Sequence, residues 1–138
     1  METVLITGGT GLIGRSLRKT LTESGYSVSI LSTSGKEVAG CKTYSWNPAT
    51  GNIDSQAIAE ADHIIHLAGA NIGARKWTIA RKQEIVDSRV KSGELLFNTW
   101  QANTGRLKTY ITASATGYYG GITTEKIYTE KDPTAGHF

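Results

Sequence analysis

Two stretches of the 138-residue sequence carry residue types at spacings that suit a chemical task. The first, TGGTGLIG at 7–14, sets glycines as Gly9-x-Gly11-x-x-Gly14, and Gly8 extends the pattern to Gly8-x-x-Gly11-x-x-Gly14. In such a turn one glycine makes the tight bend, another lets the backbone approach a pyrophosphate, and the last lets a helix pack closely on the strand before it. The helix N-terminus then presents unpaired N–H groups and a partial positive charge to the phosphates. The second stretch, ITASATGYYG at 111–120, leads from β-branched residues into small and hydroxyl-bearing ones and closes on paired tyrosines. It reads as a strand delivering Ser114 to a place where something small is bound.

These stretches need elements to hold them. Val4-Leu5-Ile6 is a short apolar run that ends at the glycine turn, as a buried parallel strand does. Ile13, Leu17 and Leu21 recur at spacing four, an apolar helical stripe that starts near Leu12 and closes at Ser24-Gly25. A second strand runs through Val28, Ile30 and Leu31, and a weaker third lies near Thr43 to Trp46. NPATGN is turn chemistry, after which Asp54 or Ser55 can cap a short helix carrying Ala57, Ile58 and Ala61. HIIHL at 63–67 is a fourth strand ending in Ala68-Gly69-Ala70. Ile79, Val86, Val90, Phe97 and Trp100 then mark a long helix at steps of three and four, and Leu107 to Thr112 makes a fifth strand. Strands alternating with helices predict an α/β fold, a Rossmann-like doubly wound parallel sheet in the order 3-2-1-4-5.

The glycine turn thus has its strand before it, its helix after it and the length of a βαβ unit around it, so a dinucleotide is the expected ligand. NAD-binding folds usually place an acid about twenty residues on, at the end of the second strand, for the ribose 2′-hydroxyl. Here Ser32-Thr33-Ser34 stand there, and the first acid beyond is Glu37. A carboxylate about 4 Å from a 2′-phosphate costs roughly 4 kcal/mol at an effective dielectric near 20. Its absence removes a barrier to NADP. Arg15 and Lys36 are the cations placed to pair with that phosphate, so NADP is the expected cofactor, with NAD the alternative.

These residues resemble the short-chain dehydrogenase/reductase superfamily of the extended, sugar-nucleotide-epimerase type, which opens with a threonine-led Gly-x-x-Gly-x-x-Gly turn such as Thr7 to Gly14. More narrowly, LAGANI at 67–72, RKWTIARKQEIVDSRV at 75–90 and ASATGYYG at 113–120 resemble an atypical branch of epimerase family proteins regarded as NAD(P)-dependent nucleoside-diphosphate-sugar epimerases. The middle stretch is the most specific, because nothing in a generic dinucleotide fold requires its Trp, Arg-Lys and Ser-Arg spacing. The resemblance implies that residues 1–138 are one NAD(P)-binding domain, the N-terminal portion of a longer chain truncated before the substrate region. It carries cofactor contacts onto Gly8, Thr10, Gly11, Leu12, Ile13, Gly14 and Arg15, onto Ser32 and Lys36, onto Leu67, Ala68 and Gly69 beside the nicotinamide, and onto Arg89, which stands where extended members often have asparagine. Ser114 matches the serine that hydrogen-bonds the reacting hydroxyl or carbonyl. The superfamily's base is a tyrosine about two dozen residues later with a lysine four beyond it. That count runs off the sequence at Phe138, and Tyr118, Tyr119 and Tyr128 have no lysine four residues on.

Composition closes off other classes. The net charge of +3 comes from scattered basic residues, not the single basic face with interleaved aromatics that nucleic acid needs. Cys41 is the only cysteine, so no intrachain disulfide forms and a reducing, cytoplasmic setting is expected. No stretch approaches the roughly 20 apolar residues of a membrane span. His63 and His66, three apart on a strand, point to opposite faces and do not share a metal; no metal is expected. Tyr118 and Tyr119 read as loop packing, and Trp46, Trp77 and Trp100 as core or interface.

The sequence therefore predicts the cofactor-binding part of an epimerase or oxidoreductase that also takes a nucleotide sugar, inactive as this polypeptide. The alternative is a non-catalytic NADP(H)-binding sensor or assembly module. A fifth strand left at the sheet edge, with an apolar face, predicts homo-oligomers formed through that edge.

Overall fold

Successive side chains of a strand face opposite ways, and the strand at 3–7 uses this to make two cores. Val4 and Ile6 pack to one side and Leu5 to the other, all essentially inaccessible to water. The computed structural model describes residues 1–103 and 105–136. Its elements are β1 (Thr3–Thr7), α1 (Leu12–Glu23), β2 (Ser27–Ser32), β3 (Lys42–Asn47), β4 (Asn52–Ile53), α2 (Gln56–Ala59), β5 (His63–His66), α3 (Ile79–Asn103), β6 (Thr109–Thr112) and a 3-10 turn at Thr116–Tyr119.

The sheet order is β4-β3-β2-β1-β5-β6. Its five longer strands are parallel and stand in the predicted order, with Ile6 in register with Ile30 on one side and Ile65 on the other. The addition is β4, which pairs antiparallel with the end of β3 through Trp46–Ile53 and Asn47–Asn52. Two residues are too few to show an alternating pattern, so the sequence displays only the turn, where Gly51 takes φ +74°. Leu17 and Leu21 of α1 cover the Val4–Ile6–Val28–Ile30 face, while α2 and α3 cover the other with Ala57, Ile58 and Leu96. Helices thus flank both faces of the sheet.

α1 begins at Leu12, as predicted, and ends in a Schellman motif: Gly25 at φ +87° donates to the Thr22 carbonyl, and the Tyr26 amide donates to that of Leu21. Ile13, however, is exposed and not part of the buried stripe. Gly14 is the residue that meets the sheet, and the position beside it is turned about 100° around the helix axis. A larger correction concerns α3. Ile79, Val90 and Phe97 are at least half exposed, and the buried side is Arg81, Ile85, Ser92, Leu96 and Thr99. Both sets recur at three and four, and the inner one is partly polar because its polar members find partners in the fold. Of the outer set, Phe97 lines a cavity of about 450 Å³ with Trp100, Leu107 and Tyr110, beside the exposed β6 edge. β6 itself starts at Thr109 rather than Leu107, since Leu107 packs on the core and the Lys108 amide donates to the Asp62 carbonyl. No helix among the described residues is long and apolar enough to cross a membrane.

Candidate functional site

Between β1 and β5 the order of the sheet reverses, and in open α/β sheets a crevice forms there at the strands' carboxyl ends. A cleft of about 1050 Å³ occupies that position. Its floor and near wall are Gly8, Thr10, Gly11 and Leu67 to Ala70, one flank is Leu31 to Ser34 with Trp46 to Ala49, and the far wall is α3 from Ala80 to Ser92.

The turn is built by steric necessity. Gly8 has φ +71°, and a Cβ there would lie 3.0 Å from the Ala68 amide nitrogen. At Gly9 a Cβ would come within 2.7 Å of Ile30 Cγ2, and at Gly14 within 2.4 Å of the Gly8 carbonyl oxygen. Gly11 occupies the N-cap of α1, where no side chain accepts from the first-turn amides and no acidic residue stands in that turn. The orphan N–H groups and the helix dipole thus face the cleft without a built-in anion. A pyrophosphate fits that arrangement.

The opposite wall is held by side chains. Ala70 donates its amide to Ser88 Oγ (2.9 Å). Arg89 lies over Gly69, whose Cβ would meet Arg89 Cζ at 3.0 Å, and its Nη1 donates to the carbonyls of Ala70 (3.3 Å) and Ile85 (3.1 Å). Arg81, almost wholly buried, donates Nη2 to the Asn71 carbonyl and pairs through Nη1 with Glu84 at 2.7 Å. Trp77 Nε1 donates to the Ile72 carbonyl (2.7 Å), and Thr78 caps α3 by accepting from the Arg81 amide (3.1 Å). The Trp, Arg and Ser-Arg spacing of 75–90 is thereby explained: those side chains clamp the backbone of Ala70 to Ile72, the LAGANI stretch.

Beneath the cleft, Thr7 Oγ1 accepts the amides of Leu67 and Ala68, each at 3.1 Å, and lies 2.6 Å from His66 Nδ1. His66 Nε2 is 3.1 Å from Ser92 Oγ, which donates to the Ser88 carbonyl at 2.6 Å. Burial pushes the His66 imidazole below its ordinary pKa. His63 faces the other way, 3.0 Å from Glu2, as strand alternation requires, and no described group of His, Cys, Asp and Glu is placed to hold a metal.

Of the residues singled out in the sequence, Gly8, Thr10, Gly11, Ser32, Leu67, Ala68 and Gly69 line the cleft. Gly14 packs beneath the turn, and Leu12, Ile13 and Arg15 stand exposed at the start of α1. Ser32 and Ser34 join through their hydroxyls at 3.0 Å, and exposed Lys36 donates its amide to Ser34 Oγ. Ser114 follows β6 at the carboxyl end of the sheet but is exposed and outside the cleft lining. Tyr118 meets Tyr119 edge to face at 5.1 Å between centroids, Tyr119 stacks on Tyr128 at 4.7 Å, and the three pack the loop. Thr7, His66, Arg81, Ser88 and Ser92 had no signal of their own beyond the specificity of the 75–90 stretch and the threonine that leads the turn.

A doubly wound parallel sheet, with a glycine turn and an uncapped helix N-terminus at its switch point, defines a Rossmann-like nucleotide-binding protein. The chain belongs to the NAD dependent epimerase/dehydratase family, whose model matches residues 4–137. It is 36% identical over 129 residues to an epimerase family protein of Mycobacterium leprae, covering 94% of this chain and 40% of that protein. With the epimerase family protein YfhF of Bacillus subtilis it shares 36% over 133 residues, covering 96% and 43%. Among solved structures it is similar to human epimerase family protein SDR39U1 (isoform 2) with NADPH, at a TM-score of 0.77 and 27% identity, covering 98% of this chain and 43% of that one. It is also similar to UDP-glucose 4-epimerase from Bifidobacterium longum in complex with NAD+ and UDP, at a TM-score of 0.75 and 26% identity, covering 97% and 43%. The chain therefore spans about four tenths of these relatives' length.

Proposed function

We propose that residues 1–138 are the NAD(P)-binding domain of an epimerase-type oxidoreductase, that NADP is the preferred nucleotide, and that this polypeptide binds it without turning over a nucleotide sugar. The observation that carries the NADP preference is the flank of the cleft at the end of β2, where Ser32, Thr33 and Ser34 contribute hydroxyls and no carboxylate. The Gly8–Gly14 turn and the bare N-terminus of α1 hold the pyrophosphate, Arg15 and Lys36 meet the 2′-phosphate, Leu67 to Gly69 lie beside the nicotinamide, and Arg89 fixes that segment. The human relative solved with NADPH supports this reading, and the epimerase solved with NAD+ and UDP supports the nucleotide-sugar class. When bound, such a nucleotide supplies hydride chemistry at its nicotinamide C4.

The second reading, a non-catalytic NADP(H)-binding sensor or assembly module, is favoured by one observation. Ser114 is exposed and lies outside the cleft lining. Calorimetric titration with NADPH and NADH tests the binding. Tighter binding of NADPH is expected, equal affinities reject the NADP preference, and absence of binding by either nucleotide rejects the function. Cofactor-dependent oxidation of a sugar nucleotide by this chain rejects the inactivity.

A further inference from the structure

The Thr7–His66–Ser92 chain of hydrogen bonds assigns its own protons. Thr7 Oγ1 accepts from the Ala68 amide and from the Leu67 amide, the latter shared with the Thr7 carbonyl at 3.2 Å, so its hydroxyl hydrogen points to His66 Nδ1 at 2.6 Å. His66 Nδ1 must then be bare. Ser92 Oγ donates to the helix carbonyls of Ser88 and Arg89 at 2.6 and 3.0 Å, so it receives the hydrogen of His66 Nε2. The only protonation state that satisfies every partner is the neutral Nε2–H imidazole. An imidazolium would put N–H against O–H at Thr7, and the Thr7 hydroxyl would have to turn away and loosen its hold on the Ala68 amide, whereas the Leu67 amide keeps the Thr7 carbonyl. Those amides belong to the segment that lies 3.0 to 3.2 Å from a Cβ position at Gly8, the floor of the cleft.

We propose that His66 is a positioning residue whose neutral imidazole locks Thr7, and through it the Leu67–Ala68 wall against the glycine turn, so that acid loosens the cleft at this one joint. His66 is buried from water and ringed by neutral groups. From β1 it meets Thr7, from α3 Ser92, from β3 the Trp46 ring at 6.4 Å, and from β6 the Tyr110 ring at 6.3 Å, whose phenol burial keeps protonated. Of the charges on the neighbouring turns of α3, Asp87 and Lys91 are paired with each other at 3.0 Å, and the Arg89 guanidinium donates to the Ala70 and Ile85 carbonyls. No ion pair among the described residues includes His66, so nothing compensates an imidazolium there, and burial depresses its pKa. The neutral state is therefore held above the ordinary histidine pKa of about 6.5 and is lost only as the pH falls below it.

The nitrogen shifts of a 15N-labelled protein, and the exchange protection of the Leu67 and Ala68 amides, followed from pH 8 to 5, test the joint without any ligand. The expected result is the Nε2–H tautomer at pH 7.5, with the Ala68 amide losing protection in step with the His66 titration while the Ile64 amide in β5 and the Leu67 amide, which also donates to the Thr7 carbonyl, keep theirs. His66→Asn, whose Oδ1 stands where Nδ1 was, is expected to hold both amides with no pH step. Thr7→Val is expected to lose the Ala68 protection at every pH. An Nδ1–H tautomer, an imidazolium at pH 7.5, or protection that follows the same pH course in wild type and His66→Asn overturns the proposal. The consequence for the site rests on the nucleotide-binding reading and is read separately. NADPH affinity is expected to fall about tenfold from pH 7.5 to 5.5 in the wild type and less than threefold in His66→Asn. An equal fall in both overturns the coupling, whereas a failure to bind NADPH in any variant overturns the nucleotide reading and leaves the tautomer result standing.

Discussion

The carbonyl oxygen of Gly8 lies 2.4 Å from the point where Gly14 would carry a Cβ, and the Cα of Gly9 lies 2.7 Å from it. Both obstacles are backbone, so neither can swing aside as a side-chain end would. Gly14→Ala must push α1 off the turn, and overpacking of this kind typically costs about 1–3 kcal/mol. Urea unfolding of the variant is expected to show a loss in that range. A midpoint equal to wild type would mean that the turn yields where the structure says it cannot.

Arg81 ties the start of α3 to Asn71 and Glu84 from a buried position. Arg81→Ala strips the Asn71 carbonyl and the Glu84 carboxylate of their partner, at a cost of about 1–3 kcal/mol. Arg81→Lys restores the charge but not the fork that reaches both groups, so it should recover only part of the loss. Thermal unfolding of the two variants measures this ordering.

Arg15 stands exposed one residue beyond the last glycine of the turn. If it pairs with a 2′-phosphate, Arg15→Ala should narrow the gap between NADPH and NADH affinity by about 1–2 kcal/mol, the scale of a charge-assisted hydrogen bond. NADH affinity should stay unchanged. Parallel titrations of both nucleotides check it, and an equal loss for the two would place Arg15 elsewhere on the cofactor.

At the opposite end of the sheet, Asp62 accepts the Thr3 amide at 2.8 Å and pairs with Arg106 at 3.2 Å, and Lys108 bridges Asp62 and Glu2. The Thr3 amide, more than the two cations, holds the Asp62 carboxyl below its ordinary value. Lys108 and then His63 bring Glu2 from 4.5 to about 2. Both carboxyls titrate lower when folded than when unfolded, so they stabilise the fold above their ordinary pKa values. That stability drains as the pH falls from about 4.5 towards about 2. Asp62→Asn should lower the unfolding midpoint at pH 7 and flatten this acid limb. Denaturation followed between pH 7 and 2 shows whether it does.

β6 offers an outer edge with every residue exposed, next to Phe97 on α3, which is half exposed. Such an edge recruits further strands, and the chain is expected to self-associate through it. Ile111→Lys places a charge on that strand and should return the protein to monomer. Light scattering at high concentration measures both, and a monomeric wild type would count against the edge as an interface.

What the sequence by itself determined is whatever backbone conformation and local period dictate. Gly8, Gly11 and Gly14 announced a turn, because only residues without a Cβ fit a positive φ and the close contacts around it. Val4-Leu5-Ile6 announced a strand buried on both faces, and Ser24-Gly25 a helix end. The five-strand order followed from alternation of strands and helices. Even the divergence of His63 from His66 was legible, since it needs only the two-residue repeat of a strand.

Tertiary structure alone decided which face of α3 is inside and what His66 does. Val90 and Phe97 marked the helix by their spacing, yet the helix turns Arg81, Ser92 and Thr99 inward, because a polar group can be buried wherever it finds a hydrogen-bond partner. The partner of Ser92 lies far along the chain: His66 meets it across 26 residues, and Thr7 meets His66 across 59. No local period encodes such a meeting. It exists only once the crossovers have set β1, β5 and α3 side by side, and that placement makes one threonine, one histidine and one serine the joint beneath the cleft.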